Sequence, residues 1–171
     1  LLVAALCATA APVAVAQTFI PQGPSPSFGP TTIIQSGDAP PNGTVSGGVQ
    51  AVITDPGDPD TMYLGGVNGG VWVTRNAGAS WTPLSDNQRS LSIASLAFDP
   101  TDASRRTLIA GVGLTSNGFV GNGDVASRGG PRIGILYSNT GGASWSELGG
   151  ATLAGKSIVG VAARGSTILA A

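Results

Sequence analysis

Sulfur and imidazole side chains are almost absent from this sequence of 171 residues. It has one cysteine, Cys7, and no histidine, and its only glutamate is Glu147. Disulfides, thiolate nucleophiles and almost all common transition-metal sites need cysteine or histidine. Residues 17–171 have neither, because Cys7 lies in the apolar run 1–16, so these classes of chemistry are excluded from the chain after that run. We therefore predict no metal, no cofactor and no catalytic constellation in this segment.

Charged residues are also few. Only 10% of the residues are charged, whereas the chain has 27 glycines and 12 prolines, a composition that disfavours helices and favours short strands joined by turns. The basic residues form no stripe that could follow a nucleic-acid backbone, and we expect no nucleic-acid partner. They are scattered as Arg75, Arg89, Arg105, Arg106, Arg128, Arg132, Lys156 and Arg164.

Residues 1–16 are apolar and rich in alanine, and they end in Ala14-Val15-Ala16 before Gln17. This ending is typical of the cleavage site of a signal peptide. The run is too short and too rich in alanine for a membrane span, which needs about 20 apolar residues. We expect a signal peptide over 1–16, no membrane span in the mature chain, and a secreted or periplasmic location. Because the chain starts at Leu1 without a basic region, we expect its natural N-terminus to lie upstream.

The sequence after residue 16 changes from a leader to repeating units. Segment 17–47 is rich in proline, glycine and serine, which predicts an extended leader. From residue 48, short β-branched runs alternate with turn residues and recur in the same order. The first unit covers 48–88, the second covers 89–150 with an inserted loop at 115–131, and a third starts at 151 and reaches 171.

Each complete unit contains four short strands bounded by Gly, Pro, Asn or Asp. Four-stranded units of about 40 to 50 residues are the signature of β-propeller blades. We therefore predict an all-β fold, a β-propeller of which this chain supplies about two and a half blades. Propellers close with about four to eight blades, so we expect the ring, and any catalytic residues, to continue beyond Ala171.

The third and fourth strands of each unit are joined by octads that match at their hydroxyl, glycine, serine and tryptophan positions. A hydroxyl or amide side chain can hydrogen-bond its own turn, glycine supplies a positive φ, and tryptophan buries a large ring between neighbouring hairpins. We predict that these residues build the turns: Thr74, Asn76, Gly78, Ser80 and Trp81 in the first octad, and Ser138, Thr140, Gly142, Ser144 and Trp145 in the second.

The octads resemble the Asp-box, or BNR repeat, whose pattern is S/T-x-D-x-G-x-S/T-W. This repeat occurs in sialidases, sortilin-like (VPS10) domains, xyloglucanase-type glycoside hydrolases and photosystem assembly propellers, and the resemblance covers residues 48–171. The sequence from Asp55-Pro56 to Trp72, followed by the first octad, is similar to the sequences of secreted bacterial propellers of the glycosyl hydrolase-like superfamily. Asn76 and Thr140 stand where the pattern has its central Asp.

The resemblance also implies where catalytic groups would lie. In the xyloglucanase-type relatives, an Asp before a Gly-Gly pair is a catalytic carboxylate, but here Asn68 precedes Gly69-Gly70. An amide cannot act as a general base, and a glycosidase of this kind needs two carboxyl groups across the sugar. Sialidases carry an Arg-Ile-Pro signature, which Pro131-Arg132-Ile133-Gly134 does not complete, and we interpret this match as chance.

Two other groups of residues are candidate ligand sites. The insertion 115–131 is a long loop on a rigid scaffold, a position that suits ligand binding, although a merely decorative loop is the alternative. A set of aspartates offers oxygen atoms of the kind that bind calcium, but nearby prolines and recurrence in both units favour turn capping. These aspartates are Asp55, Asp58, Asp60, Asp99 and Asp102.

Three functions fit the sequence. The favoured one is an exported propeller that binds a glycan or an extracellular protein without catalysis in this segment. The second is a glycoside hydrolase, xyloglucanase- or sialidase-like, whose catalytic residues lie in blades beyond residue 171. The third is an assembly factor or scaffold. Whether the whole protein is an enzyme stays open at this point.

Overall fold

The computed structural model describes residues 48–113 and 129–171, together with the paired backbone segments β1 (Ser27–Phe28) and β2 (Thr44–Val45). The predicted signal peptide, most of the predicted leader and most of the insertion 115–131 lie outside the described residues.

Two four-stranded antiparallel sheets follow one another along the chain, and a two-stranded sheet follows them. In each four-stranded sheet the strands are neighbours in chain order, so every connection is a hairpin. The predicted all-β fold of four-stranded units is confirmed. Sheet 1 comprises β3 (Val49–Asp55), β4 (Asp58–Gly66), β5 (Gly70–Thr74) and β6 (Thr82–Pro83); sheet 2 comprises β7 (Ile93–Phe98), β8 (Leu108–Val112), β9 (Ile135–Ser138) and β10 (Ser146–Leu148); sheet 3 comprises β11 (Val161–Arg164) and β12 (Thr167–Ala170).

Some element boundaries differ from the sequence prediction. The run of Asp, Pro and Gly over 55–60 predicts a six-residue turn, but the turn is tighter, because Asp55 already pairs with Asp58 and β4 begins there. The apolar run 133–138 predicts a strand from Ile133, whereas Gly134 has a φ of 96° and β9 begins after it. A four-residue helix, α1 (Gly150–Leu153), was not predicted and follows β10 directly.

The main core lies between sheets 1 and 2. Tyr63 of sheet 1 meets the ring of Phe98 edge-on, with the ring centroids 5.5 Å apart. Burial raises the pKa of the Tyr63 hydroxyl, because the charged form would lose water. Gly65 lets the sheets approach, since a Cβ there would lie 2.5 Å from Cγ2 of Ile93. The buried members of this core include Val71, Val73, Ile93, Leu96, Leu108, Ala110, Val112 and Leu136.

A second, smaller core lies between sheets 2 and 3. Ile109, Ile135 and Ile158 are buried in it, and Val161 and Ile168 pack against them from sheet 3. Gly111 occupies the place in sheet 2 that Gly65 occupies in sheet 1, because each pairs with the residue that follows the register shift of the first strand, Gly65 with Ala51 and Gly111 with Ser95. A Cβ on Gly111 would lie 2.8 Å from the carbonyl oxygen of Ile158.

The first strands of the three sheets are neighbours in space: β3 contacts β7, and β7 contacts β11. Sheets that stack face to face around their first strands form the architecture of a β-propeller. Turns and connections lie at both ends of the strands of each sheet. We call the end with the first hairpin turns and the octads the octad face. We call the end with the β4–β5 turn, segment 84–92 and segment 129–134 the connector face.

Candidate functional site

The first octad is held by hydrogen bonds to two side-chain oxygens. Oγ1 of the buried Thr74 accepts from the amides of Asn76 (3.3 Å) and Gly78 (2.9 Å), and it donates to Oδ1 of Asn76 (2.9 Å). The same Asn76 oxygen accepts from the amide of Ser80 (2.9 Å), and Nδ2 of Asn76 donates to the Ser80 hydroxyl (2.9 Å). Gly78 has a φ of 90°, the left-handed value for which glycine is suited.

The second octad repeats this network with different side chains. The Ser138 hydroxyl oxygen accepts from the amides of Thr140 (3.1 Å) and Gly142 (2.9 Å). Oγ1 of Thr140 accepts from the amide of Ser144 (2.9 Å) and lies 3.0 Å from the Ser144 hydroxyl. Asn76 and Thr140 therefore supply the same acceptor position, so each turn forms without a carboxylate.

The two octad tryptophans have different surroundings. Trp145 packs against the core between sheets 1 and 2, and its indole N–H donates to the carbonyl of Leu84 at 2.9 Å. Trp145 thus ties the second unit to the first. Trp81 is also half-buried, but its indole has no hydrogen-bond partner within the described residues. The side-chain oxygens of Thr74, Asn76, Ser138 and Thr140 are thus engaged within their own turns.

The aspartates on the octad face bind turn amides and the following unit. Asp55 Oδ1 accepts from the amide of Gly57 (2.8 Å) and from Nε of Arg105 in the second unit (2.9 Å). Asp99 occupies the equivalent position, where it accepts from Thr101 and from the amide of Gly165 in sheet 3 (2.8 Å). The Thr101 hydroxyl is the main cause of a lowered pKa at Asp99.

Asp102 is the most heavily hydrogen-bonded carboxylate of this face. One oxygen accepts from the hydroxyl (2.6 Å) and the amide (2.9 Å) of Ser104, and the other from the amides of Arg106 (3.1 Å) and Thr107 (2.8 Å). These bonds, with Ser104 first and Thr107 next, hold the pKa of Asp102 well below its ordinary value because they favour the charged form. Within 48–113 and 129–171, no three acidic, histidine or cysteine side chains form a group that could hold a metal ion.

Asn68 lies on the connector face, in the β4–β5 turn, with a φ of 67°. Its Oδ1 is buried and has no hydrogen-bond partner among the described residues. Gly129 covers it so closely that a Cβ on Gly129 would overlap Oδ1. The Gly129 carbonyl accepts from the amide of Leu91 (2.5 Å) and the hydroxyl of Ser90 (3.1 Å), which fixes the segment in place. At the position where the resemblance implies a carboxylate, this chain therefore has the amide group of Asn68, which the backbone of Gly129 covers.

A cleft of about 470 Å³ opens on the connector face beside this segment. Its charged residues are Arg89, Arg132 and Glu147, and its other walls are small or apolar: Pro131, Ile133, Gly150 and Ala154. Nη1 of Arg89 lies 3.0 Å from Oε2 and 3.4 Å from Oε1 of Glu147. The guanidinium of Arg132 has no ion-pair partner within the described residues.

Sequence reasoning missed this cleft. It interpreted Arg132 only as an incomplete sialidase signature and gave no role to Arg89. Glu147 carried the one available signal, since it is the only glutamate of the chain. The predicted ligand loop 115–131 is described only from Gly129 onwards, and its last residue, Pro131, lines the cleft.

None of the helices in the part of the chain that the structure describes is long and apolar enough to cross a membrane.

A scan against protein-family models and a search of the curated proteins both give no match. Among solved structures, the chain is similar to an ancestral GH74 enzyme, with 26% identity over 64% of this chain and a TM-score of 0.48. It is also similar to the GH74 xyloglucanase from Xanthomonas campestris, with 18% identity over 67% of this chain and a TM-score of 0.46. A third similar structure is YCF48 from Cyanidioschyzon merolae, with 20% identity over 69% of this chain and a TM-score of 0.40. The chain spans 14%, 16% and 29% of these three chains, respectively. Its own described sheets are those of a partial β-propeller.

Proposed function

We propose that this chain is part of an exported β-propeller that binds a glycan or an extracellular protein through its connector face, without catalysis in the described segment. Export is inferred from the apolar run 1–16 and its Ala14-Val15-Ala16 ending. The octads contribute to folding rather than binding, as Asp-box turns do in the family that they resemble. Binding is assigned to the connector face because the main acceptors of the octad face, Asp99, Asp102 and the octad side-chain oxygens, are engaged in turns and in contacts between units.

The observation that carries this proposal is the use of the carboxylates. Acid–base hydrolysis of a sugar needs two carboxyl groups that face a common space. Asp55, Asp58, Asp99 and Asp102 accept hydrogen bonds inside the hairpin turns of the octad face. On the connector face Glu147 is paired with Arg89, and it is the only carboxylate among the described residues that line the cleft; the exposed Asp86 of segment 84–92 is not among them. Residue 68 is an asparagine, so it supplies no carboxylate, and its side-chain oxygen is covered by the backbone of Gly129.

A glycoside hydrolase is the second candidate, and it needs groups that these residues do not supply. Two facing carboxylates would have to come from further blades of the same ring. The third candidate, an assembly factor or scaffold, is compatible with the same fold. No contact within the described residues favours this third role over binding.

Two measurements on the full-length protein separate these functions. The first is binding to a panel of neutral and acidic oligosaccharides and capture of proteins from the extracellular fraction. The second is release of reducing sugar from plant and bacterial polysaccharides. Binding without release of sugar supports the proposal. Sugar release that is lost in the Glu147→Gln variant contradicts the absence of catalysis in the described segment, whereas release that persists in this variant supports the second candidate, with its carboxylates in further blades.

A further inference from the structure

The cleft on the connector face has the chemistry of a specific polar site. It combines two guanidinium groups and one carboxylate, which gives its lining a net charge of +1 (two arginines less one glutamate). Gly130 brings these groups together. Its φ of 96° and its close approach to the Arg89 carbonyl place segment 129–133 directly against segment 84–92. The amide of Gly155 donates to the Arg132 carbonyl at 2.9 Å and fixes the backbone of the cleft from the other side.

Arg132 is the strongest attachment point in this cleft. Its side chain is exposed, and no described residue supplies an acceptor for it. A guanidinium presents a planar fork of N–H donors that matches a carboxylate in a bidentate pair. The cleft therefore suits a ligand that carries at least one carboxylate.

Glu147 limits the class of that ligand. Its side chain is 34% exposed, so its oxygens can still accept hydrogen bonds from a ligand while Arg89 holds it in place. A carboxylate accepts readily from neighbouring hydroxyl groups but repels a second anion. A sugar acid, with one carboxylate and several hydroxyls, satisfies both groups, whereas a run of phosphates or of acidic side chains does not.

We propose that the cleft of Arg89, Arg132 and Glu147 binds an acidic glycan, in which Arg132 pairs with a uronic acid carboxylate and Glu147 accepts from ring hydroxyls. This proposal rests on the proposed binding function and names its site and ligand class. A volume of about 470 Å³ lies in the range of small-molecule sites, which is about 300 to 1,000 Å³. None of the described residues that line the cleft is aromatic, so the affinity depends on charge and falls as salt is added.

The test uses titration calorimetry of the full-length protein with an acidic trimer, two galactose residues that end in one galacturonic acid, and with the neutral trimer of galactose. We expect the acidic trimer to bind and the neutral trimer to bind at least about tenfold more weakly. The Arg132→Ala variant should lose about 10- to 100-fold in affinity for the acidic trimer, because charge-assisted hydrogen bonds are lost. Arg132→Lys should recover part of this loss, since it restores the charge but not the fork.

Arg164→Ala is the matched control, because Arg164 is also an exposed arginine but lies on β11, outside the cleft. It should leave the affinity unchanged. Equal binding of the two trimers, or an unchanged affinity in Arg132→Ala, would overturn the cleft assignment while leaving glycan binding elsewhere on the propeller intact. Failure of every oligosaccharide in the wider panel would overturn the glycan branch of the proposed function as well.

Discussion

At the scale of single residues, the turns of the octad face depend on a few oxygen atoms that each accept several hydrogen bonds. Thr74 and Ser138 each accept from two amides of their own turn. Asn76 and Thr140 each accept from the serine four positions later. Both turns have an acceptor at this central position, and neither has a negative charge there.

Thr74→Val tests the importance of the shared oxygen. Valine keeps the shape of threonine but leaves the buried amide of Gly78 without its acceptor. We expect the free energy of unfolding to fall by about 1 to 3 kcal/mol, the cost of a buried unsatisfied group. Thr82→Val is the control, because Thr82 is exposed on β6, and it should change stability by less than about 0.5 kcal/mol. Urea unfolding measures both, and equal losses would contradict the assignment.

Asp102 makes the octad face sensitive to acid. Its pKa is lower in the folded chain than its ordinary value of 3.8. Its contribution to stability is therefore fully present above that ordinary value and is lost as the pH falls through the lower folded pKa. Asp102→Asn should lower the melting temperature at neutral pH, because an amide group can accept with one oxygen only.

The difference between wild type and Asp102→Asn should shrink as the pH falls below about 4, because the carboxyl group is then protonated in the unfolded wild type while the folded chain still holds it charged. Thermal unfolding followed by circular dichroism at several pH values measures this. Asp86→Asn is the control, because Asp86 is exposed and accepts no hydrogen bond from a described residue. A constant difference down to pH 3 would mean that the charge of Asp102 is not what stabilises the turn.

The residue scale also shows the limits of sequence reasoning. The octad residues could be predicted because their hydrogen bonds connect neighbours in the chain. The Asn68 environment could not, since Gly129 reaches it only after sheet 2 has folded against sheet 1. The pair Arg89–Glu147 is 58 residues apart and has no local signal.

At the scale of strands and sheets, a tryptophan connects neighbouring units. The indole N–H of Trp145 donates across the sheet interface to Leu84. Trp81 is its counterpart in the first octad and has no such acceptor among the described residues. Two identical residues in equivalent turns therefore differ in one hydrogen bond.

Trp145→Phe and Trp81→Phe form a matched pair of variants. The first removes a hydrogen bond between units, and we expect it to lower the free energy of unfolding by about 0.5 to 1.5 kcal/mol. The second loses ring area alone, and we expect the smaller loss from it. Urea unfolding of both variants checks the difference. A larger loss for Trp81→Phe would show that Trp81 has a partner outside the described residues.

Strand order could be predicted at this scale, whereas strand ends could not. The recurrence of β-branched runs and turn residues specifies four hairpin strands in each complete unit. The ends depend on backbone geometry at single residues, such as the positive φ of Gly134. The close contacts at Gly65 and Gly111 could not be predicted either, because they depend on how the sheets pack face to face.

At the scale of the whole molecule, the repeat explains why one face of sheet 1 is exposed. The register places four residues in one row across sheet 1, and the equivalent row of sheet 2 is largely buried against sheet 1. No described residues cover the row of sheet 1, and Val52 within it is 59% exposed. The two rows are Val52, Leu64, Trp72 and Pro83 in sheet 1, and Leu96, Ala110, Leu136 and Glu147 in sheet 2.

An uncovered apolar sheet face drives association, because burying it removes apolar surface from water. We therefore expect a protein consisting of residues 48–171 alone to self-associate at micromolar concentration. Val52→Lys should shift it towards monomer, since a charged side chain cannot be buried there without a partner. Ala79→Lys adds the same charge at an exposed position of the first octad, off this face, and should leave the association unchanged. Sedimentation velocity distinguishes these outcomes. An equal response to both lysines would assign the effect to net charge. If the 48–171 protein without substitutions is monomeric, the exposed row of Val52 does not drive association.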